Sequence, residues 1–105
     1  MEHIRSRLTR ELESVQAELD RLDEQLQERG EYGFGKGDPA VYQWELNLAM
    51  KQRFLEHREQ IQNALQRLET GDYGLCTSCR SPIEAERLEA LPFTSLCITC
   101  ARRRR

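Results

Sequence analysis

Four cysteines constrain this chain more than any other feature. Cys76 and Cys79 are separated by two residues, seventeen residues follow, and Cys97 and Cys100 repeat the spacing. Two such knuckles can each offer two sulfurs to one tetrahedral ion, with bonds of about 2.3 Å to zinc. All four cysteines of the sequence fall in this arrangement, so none is left over for catalysis or for an intermolecular bridge. The reading is one structural Zn2+ held by Cys76, Cys79, Cys97 and Cys100. A closed four-sulfur site keeps no position for water, which argues for architecture and against zinc hydrolysis.

Two disulfides, or a thioredoxin-like redox pair, are the competing readings. Disulfides need an oxidising compartment, and Met1-Glu2-His3-Ile4-Arg5 lacks the apolar run of a signal peptide. A redox pair usually accompanies a βαβ pattern, which is absent here. Metal also answers a folding problem, because about 35 residues are too few to bury a self-sufficient core. Zinc contributes roughly 10–16 kcal/mol to such peptides at neutral pH, so binding and folding are expected as one event. Tyr73, Leu75, Ile83, Leu88, Leu91, Phe93, Leu96 and Ile98 are the expected satellite core around the site. Ser81-Pro82-Ile83-Glu84 fits a capping box with proline at the first helical position, predicting a short helix over 82–90 that Leu91-Pro92 ends.

Upstream, Ile4, Leu8, Leu12, Val15, Leu19, Leu22 and Leu26 recur in steps of four and three. That is an a/d seam along one face of an α-helix, the mark of coiled-coil packing. The helix is expected to end near Arg29, with Gly30 as its C-terminal cap. A glycine-punctuated loop over 30–37 follows, and Asp38-Pro39 supplies an N-cap and a first helical residue. The second helix, to about Glu69, carries a wider apolar set: Val41, Trp44, Leu48, Met50, Phe54, Leu55, Ile61, Leu65 and Leu68. His57 falls on the same stripe and reads as a packed seam residue before a ligand or a pH sensor. Two helices of similar length joined by a short loop should fold back on each other.

The expected fold is therefore mainly α: an antiparallel two-helix coiled-coil hairpin over 1–70 with its tip loop at 30–37, then a four-cysteine zinc finger with short helices over 71–105. Charged residues at 32% and aromatics at 7% suit such an extended, solvated structure. No stretch approaches the roughly 20 apolar residues of a membrane span, so a soluble, cytoplasmic protein without membrane contact is expected. The net charge of −2 gives no global affinity for nucleic acid. Residues 1–70 hold 14 acidic and 10 basic side chains and residues 71–105 hold 4 and 6. Four thiolates around Zn2+ would add about two negative charges to the finger, leaving it near neutral.

Gly71-Asp72-Tyr73-Gly74-Leu75-Cys76, Cys79, Pro82-Ile83, Arg87-Leu88-Glu89-Ala90-Leu91-Pro92 and Leu96-Cys97-Ile98-Thr99-Cys100 together resemble the DksA/TraR zinc-finger signature. The resemblance covers nearly all of residues 71–100, and the preceding hairpin agrees with it. It implies a bacterial transcription regulator, monomeric, that binds RNA polymerase rather than DNA, its hairpin entering the secondary channel and its tip approaching the catalytic centre. In such proteins the effect often depends on the alarmone ppGpp. Glu31, Tyr32, Phe34 and Asp38 are then the candidate polymerase contacts at the tip. The family's tip motif Asp-x-x-Asp-x-Ala is matched only at Asp38, with Val41 and Gln43 at the other two positions. Glu31 or Glu45 could supply negative charge instead, and an N-cap role accounts for Asp38 without any partner. Arg80 stands where the family commonly has glycine. If that position needs positive φ, arginine bears about 1–2 kcal/mol of strain, unless the knuckle differs or Arg80 faces the thiolates. The C-terminal helix of longer members is expected to be missing or a stub, which weakens transfer of ppGpp dependence.

Two other functions compete. A structural adaptor would dock another protein through Tyr32 and Phe34, since exposed aromatics recur at binding hot spots; those rings could equally tuck against Val41 and Trp44. A DNA-binding finger would use Arg102, Arg103, Arg104 and Arg105 for phosphate contacts, at most nonspecifically, whereas a solvated tail is the commoner reading. No nucleophile–base pair or open metal site suggests an enzyme. Gly33-Phe34-Gly35-Lys36-Gly37 lacks the phosphate-loop pattern and its preceding strand.

Overall fold

Leucine and valine at every third or fourth residue give the N-terminal segment one apolar face, and in the computed structural model that segment is α1, Glu2–Tyr32. It is followed by α2, Ala40–Thr70, α3, Ala85–Ala90, and α4, Ile98–Arg103. The structure describes residues 2–32, 35 and 37–104, and for residues 29–32 the backbone alone. Among the described residues the only β pairing is an isolated antiparallel bridge, Leu75 to Pro82. The chain divides into two compact units, one made of Met1–Leu12 with Glu59–Arg105 and the other of Glu13–Arg58.

In the unit Glu13–Arg58 the expected stripe of α1 is buried at Val15, Leu19 and Leu22. Polar links cross to α2. Arg58 Nη1 donates to Gln16 Oε1 at 2.9 Å, Lys51 Nζ lies 2.7 Å from Asp23 Oδ1, Asn47 Nδ2 donates to Gln25 Oε1 at 3.4 Å, and Trp44 Nε1 to the Leu26 carbonyl at 3.5 Å. Numbers fall in α2 as they rise in α1, so the two segments run antiparallel.

The expected core of α2 needs correction at two positions. Leu48 is 41% and Met50 43% exposed. Among the half-buried positions, Trp44, Asn47, Lys51, Phe54 and Arg58 follow a three-and-four spacing that selects polar side chains at three of its steps. A lysine can cover apolar surface with its aliphatic stem and keep its ammonium on a polar partner, here Asp23, so a polar residue can occupy a seam position. His57 is half-buried and, with Met50, Arg53 and Phe54, borders a cavity of about 300 Å3.

The end of α1 also differs from expectation. The helix runs to Tyr32, which places Gly30 inside its last turn and not as a cap. Glycine costs a helix interior about 1 kcal/mol relative to alanine, and the i→i−4 backbone bonds do not require a side chain. Of the tip candidates, the side chains of Glu31, Tyr32 and Phe34 lie outside the described residues. Asp38 is the expected N-cap: its Oδ1 accepts the Ala40 N–H at 2.9 Å and its carbonyl the Val41 N–H at 3.1 Å.

In the other unit Leu8, Ile61 and Ala64 are fully buried, and an Arg5–Glu69 pair at 3.3 Å links α1 to the end of α2. Gly71, at φ +84, then turns the chain out of α2. The turn frees the Arg67 carbonyl to accept from Asp72 N at 3.0 Å, Tyr73 N at 3.2 Å and Thr70 Oγ1 at 3.3 Å. The Asp72 bond spans five residues, the 6→1 closure of a Schellman cap. Leu8→Ala should lower unfolding free energy by about 2–5 kcal/mol, read as a lower urea midpoint at an unchanged slope.

Candidate metal centre

The first knuckle forms because a short ribbon closes beneath it. Ile83 N–H donates to the Gly74 carbonyl and Cys76 N–H to the Ser81 carbonyl, both at 2.8 Å, and Arg80 N–H returns to the Cys76 carbonyl at 2.9 Å. The second knuckle is the start of a helix. Cys97 is the N-cap of α4, Cys100 sits one turn on, and the Cys97 carbonyl accepts the Ala101 N–H at 2.9 Å. Thr77 ties the two together, its N–H and hydroxyl both donating to the Ser95 carbonyl at 2.9 and 3.2 Å.

This framework gathers the four sulfurs to within 4.8 Å of one another. All four cysteines are free, Cys76, Cys97 and Cys100 buried and Cys79 exposed. Cys79 Sγ and Cys97 Sγ are 3.8 Å apart. A tetrahedron with metal–sulfur bonds of about 2.3 Å has sulfur–sulfur edges of about 3.8 Å, whereas a disulfide closes to about 2.05 Å. The donor set therefore fits a tetrahedral ion and not a pair of disulfides. Ile83 joins Cys76, Cys97 and Cys100 in the buried cluster, with Leu88 and Leu96 packed against it. Leu91 and Ile98, expected in that core, are 37% exposed, since a cluster centred on sulfurs has room for few apolar neighbours.

The thiols are electrostatically unequal. The Cys79 and Cys97 backbone N–H groups aim at Cys76 and pull it down to about 6. The Ser81 N–H, then its hydroxyl, lowers Cys79. Cys100 is pushed up to about 12, first by its hydrogen bond with Cys97 and then with Cys76, because it is the donor that keeps its proton.

Two local expectations are revised. The capping box at Ser81 does not form: α3 begins at Ala85, with Glu84 as N-cap and no side-chain cap. Ser81 and Pro82 are held extended by the ribbon to Cys76 and Leu75, which excludes helical geometry there. The Glu84 carboxylate accepts the Ile98 N–H at 3.2 Å and so caps α4 instead. Arg80 does adopt positive φ, at +65. Its guanidinium lies 3.6 Å from Asp72 Oδ1 and is largely exposed, so it compensates by an ion pair and not by facing the sulfurs.

The side chains that hold the finger to the helices of its own unit were not legible in the sequence. Arg7 Nη1 donates to the Glu89 carbonyl at 2.8 Å and Arg67 Nη2 to the Thr94 carbonyl at 3.3 Å, while within the finger itself Tyr73 Oη donates to the Pro92 carbonyl at 2.9 Å and Arg87 Nε to the Leu96 carbonyl at 2.8 Å. Only an arginine near a helix end or a knuckle hints at such a role, and that pattern is common. Arg102, Arg103 and Arg104 are exposed at the end of α4, and Arg105 lies outside the described residues.

A four-sulfur centre set in a ribbon and a short helix, beside two long helices in contact, defines a metal-binding module of a mainly helical protein. Residues 71–105 match the family described as the prokaryotic dksA/traR C4-type zinc finger. Similarity extends beyond the finger. The RNA polymerase-binding transcription factor DksA of Haemophilus influenzae is 31% identical over 93% of this chain and 69% of that protein, and its Escherichia coli K12 counterpart is 31% identical over 93% and 66%. The solved structure of transcription factor DksA2 from Pseudomonas aeruginosa superposes with a TM-score of 0.81 at 30% identity, covering 98% of this chain and 81% of that one. The chain belongs to the DksA/TraR family. Its named relatives are transcription factors, regulatory proteins and not catalysts.

Elemental analysis should find one metal ion per chain, and Cys100→Ser should lose it together with the fold of the finger, seen as lost near-ultraviolet circular dichroism. Because Cys76 is already mostly thiolate at pH 7 while Cys100 still carries its proton, metal uptake must release protons. Affinity should therefore fall as pH falls, with proton release measured by calorimetry in buffers of different ionisation enthalpy. Arg80→Gly should raise stability by about 1 kcal/mol through relief of left-handed strain, less what the Asp72 pair contributes, read from chemical denaturation of the metal-loaded protein.

Proposed function

We propose that this protein is a regulator of transcription that binds RNA polymerase through its secondary channel, with the turn between α1 and α2 directed at the active centre. The observation that carries the reading is that similarity to DksA proteins spans both long helices as well as the finger. A match confined to residues 71–105 would support only a shared metal module.

In this reading residues 1–70 are a coiled-coil hairpin that enters the channel and residues 71–105 a finger that gives it a rigid seat. Cys76, Cys79, Cys97 and Cys100 hold one Zn2+, whose role is to close the small core around Ile83 and to neutralise the gathered thiolates. Glu31, Tyr32, Phe34 and Asp38 are the contacts at the tip, Asp38 also keeping its N-cap role. Because the family's second aspartate is replaced by Val41, any effect of the tip runs through Asp38 or a neighbouring acidic residue. The protein acts as a monomer in the cytoplasm; among the described residues no helix is long and apolar enough to cross a membrane. DNA contact through Arg102 to Arg105 is at most nonspecific, and a response to ppGpp is a separate question for the polymerase complex.

Metal-loaded protein should retain core RNA polymerase in a pull-down, and a secondary-channel factor added in excess should displace it. Binding that such a competitor leaves untouched would sink the channel reading, and absence of binding by folded, metal-loaded protein would sink the polymerase reading altogether.

A further inference from the structure

The seam with α1 uses one side of α2 only. Tyr42, Leu46, Met50, Arg53 and His57 recur along the helix at intervals of four, four, three and four. Leu46 and Arg53 each follow a seam residue, Trp44 and Lys51, by two positions, about 200° round the helix, so this second stripe faces away from α1. Tyr42 is 69%, Leu46 40% and Met50 43% exposed. Met50, Arg53, Phe54 and His57 border the cavity of about 300 Å3. Their spacing, i, i+3, i+4 and i+7, is that of the four-residue hole that receives one side chain of a facing helix in knobs-into-holes packing. Glu45 flanks the stripe and is exposed, as is Arg53.

We infer that this face pairs with the same face of a second copy of this chain, the two α2 helices running antiparallel about a two-fold axis near Met50. In that register Leu46 of each copy meets the hole between Met50, Arg53, Phe54 and His57 of the other. Met50 then meets Met50, and Glu45 comes opposite Arg53. One register satisfies both shape and charge, and does so twice, as an isologous contact requires. A foreign helix would have to bring an aliphatic knob and a carboxylate at adjacent positions. This chain carries both, as Glu45 and Leu46, at the distance along α2 that its own hole demands. Few side chains take part compared with the roughly 20–30 per partner of a stable interface, so the pair is weak and reversible, with a dissociation constant on the order of 100 μM. The pairing belongs to the free protein and does not rest on the polymerase reading; dilution returns the monomer on which that reading relies.

The test is sedimentation equilibrium of the metal-loaded full chain without polymerase. Between about 10 μM and 1 mM the weight-average mass should climb from one chain toward two. Glu45→Arg and Arg53→Glu each set like charges against one another, and each alone should associate about tenfold more weakly. An equimolar mixture of these two variants restores opposite charges at both contacts and should associate within about twofold of the wild type. Leu46→Ala empties the hole and should weaken association about tenfold, whereas Leu48→Ala, exposed on α2 outside the stripe, should change it by less than about twofold. Metal content and helical circular dichroism identify a charge variant that fails to fold, in which case Leu46→Ala against Leu48→Ala decides. A wild type that stays monomeric at about 1 mM would overturn the pairing, and weaker binding of core polymerase by the same variants would then assign the face to that partner. Wild-type association in the stripe variants, or a mixture no stronger than either charge variant alone, would overturn it as well.

Discussion

Gathering four sulfurs within 4.8 Å is the constraint on which the finger depends. The buried cluster of this module consists of three of the ligands and Ile83, with Leu88 and Leu96 alongside, so the site and the core are nearly the same atoms. A core that small cannot offset the conformational entropy of ordering some 35 residues. Four thiolates brought together would also repel one another. Both difficulties have one answer, an ion that binds all four, which is why the spacing of cysteines governs the whole segment.

The hydrogen-bond framework around the site shows how the chain keeps those sulfurs in register. One knuckle is closed by a ribbon and the other by a helix N-terminus, and Thr77 joins them through a single carbonyl at Ser95. Arg80 accepts a left-handed backbone so that the first knuckle can turn, with Asp72 as its counter-charge. Glu84, displaced from the capping box its sequence suggests, caps α4 and so braces the helix that carries Cys100. These are small terms beside what an ion would contribute, and they set the orientation of the four cysteines in the folded finger.

The two long helices follow a different logic. The stripe that faces the partner is apolar and buried on α1, and on α2 it is half-buried and alternates between apolar residues and Asn47, Lys51 and Arg58, which reach polar groups of α1. An interface of this kind fixes register more than it adds stability, because each polar pair is satisfied in one alignment only. It leaves Tyr42, Leu46, Leu48 and Met50 exposed on α2.

Much of this was legible in the chain itself. Helix periodicity on α1 follows from side-chain spacing alone, the two cysteine knuckles from their own spacing, and the N-cap from Asp38 before Pro39, because each depends on residues close in sequence. What tertiary structure decided is of another kind. Leu48 and Met50 carry the hydrophobicity of a core and lie outside it, because the partner helix selects a face by register and not by composition. Ser81 carries the chemistry of a helix cap and instead holds a ribbon, because Cys76 needs its carbonyl. Arg67, Arg87 and Arg104 are ordinary basic residues in the sequence, and only folding places them around one cleft without a carboxylate. Local patterns are written into neighbours along the chain, whereas the choice among them falls to contacts between residues far apart in it.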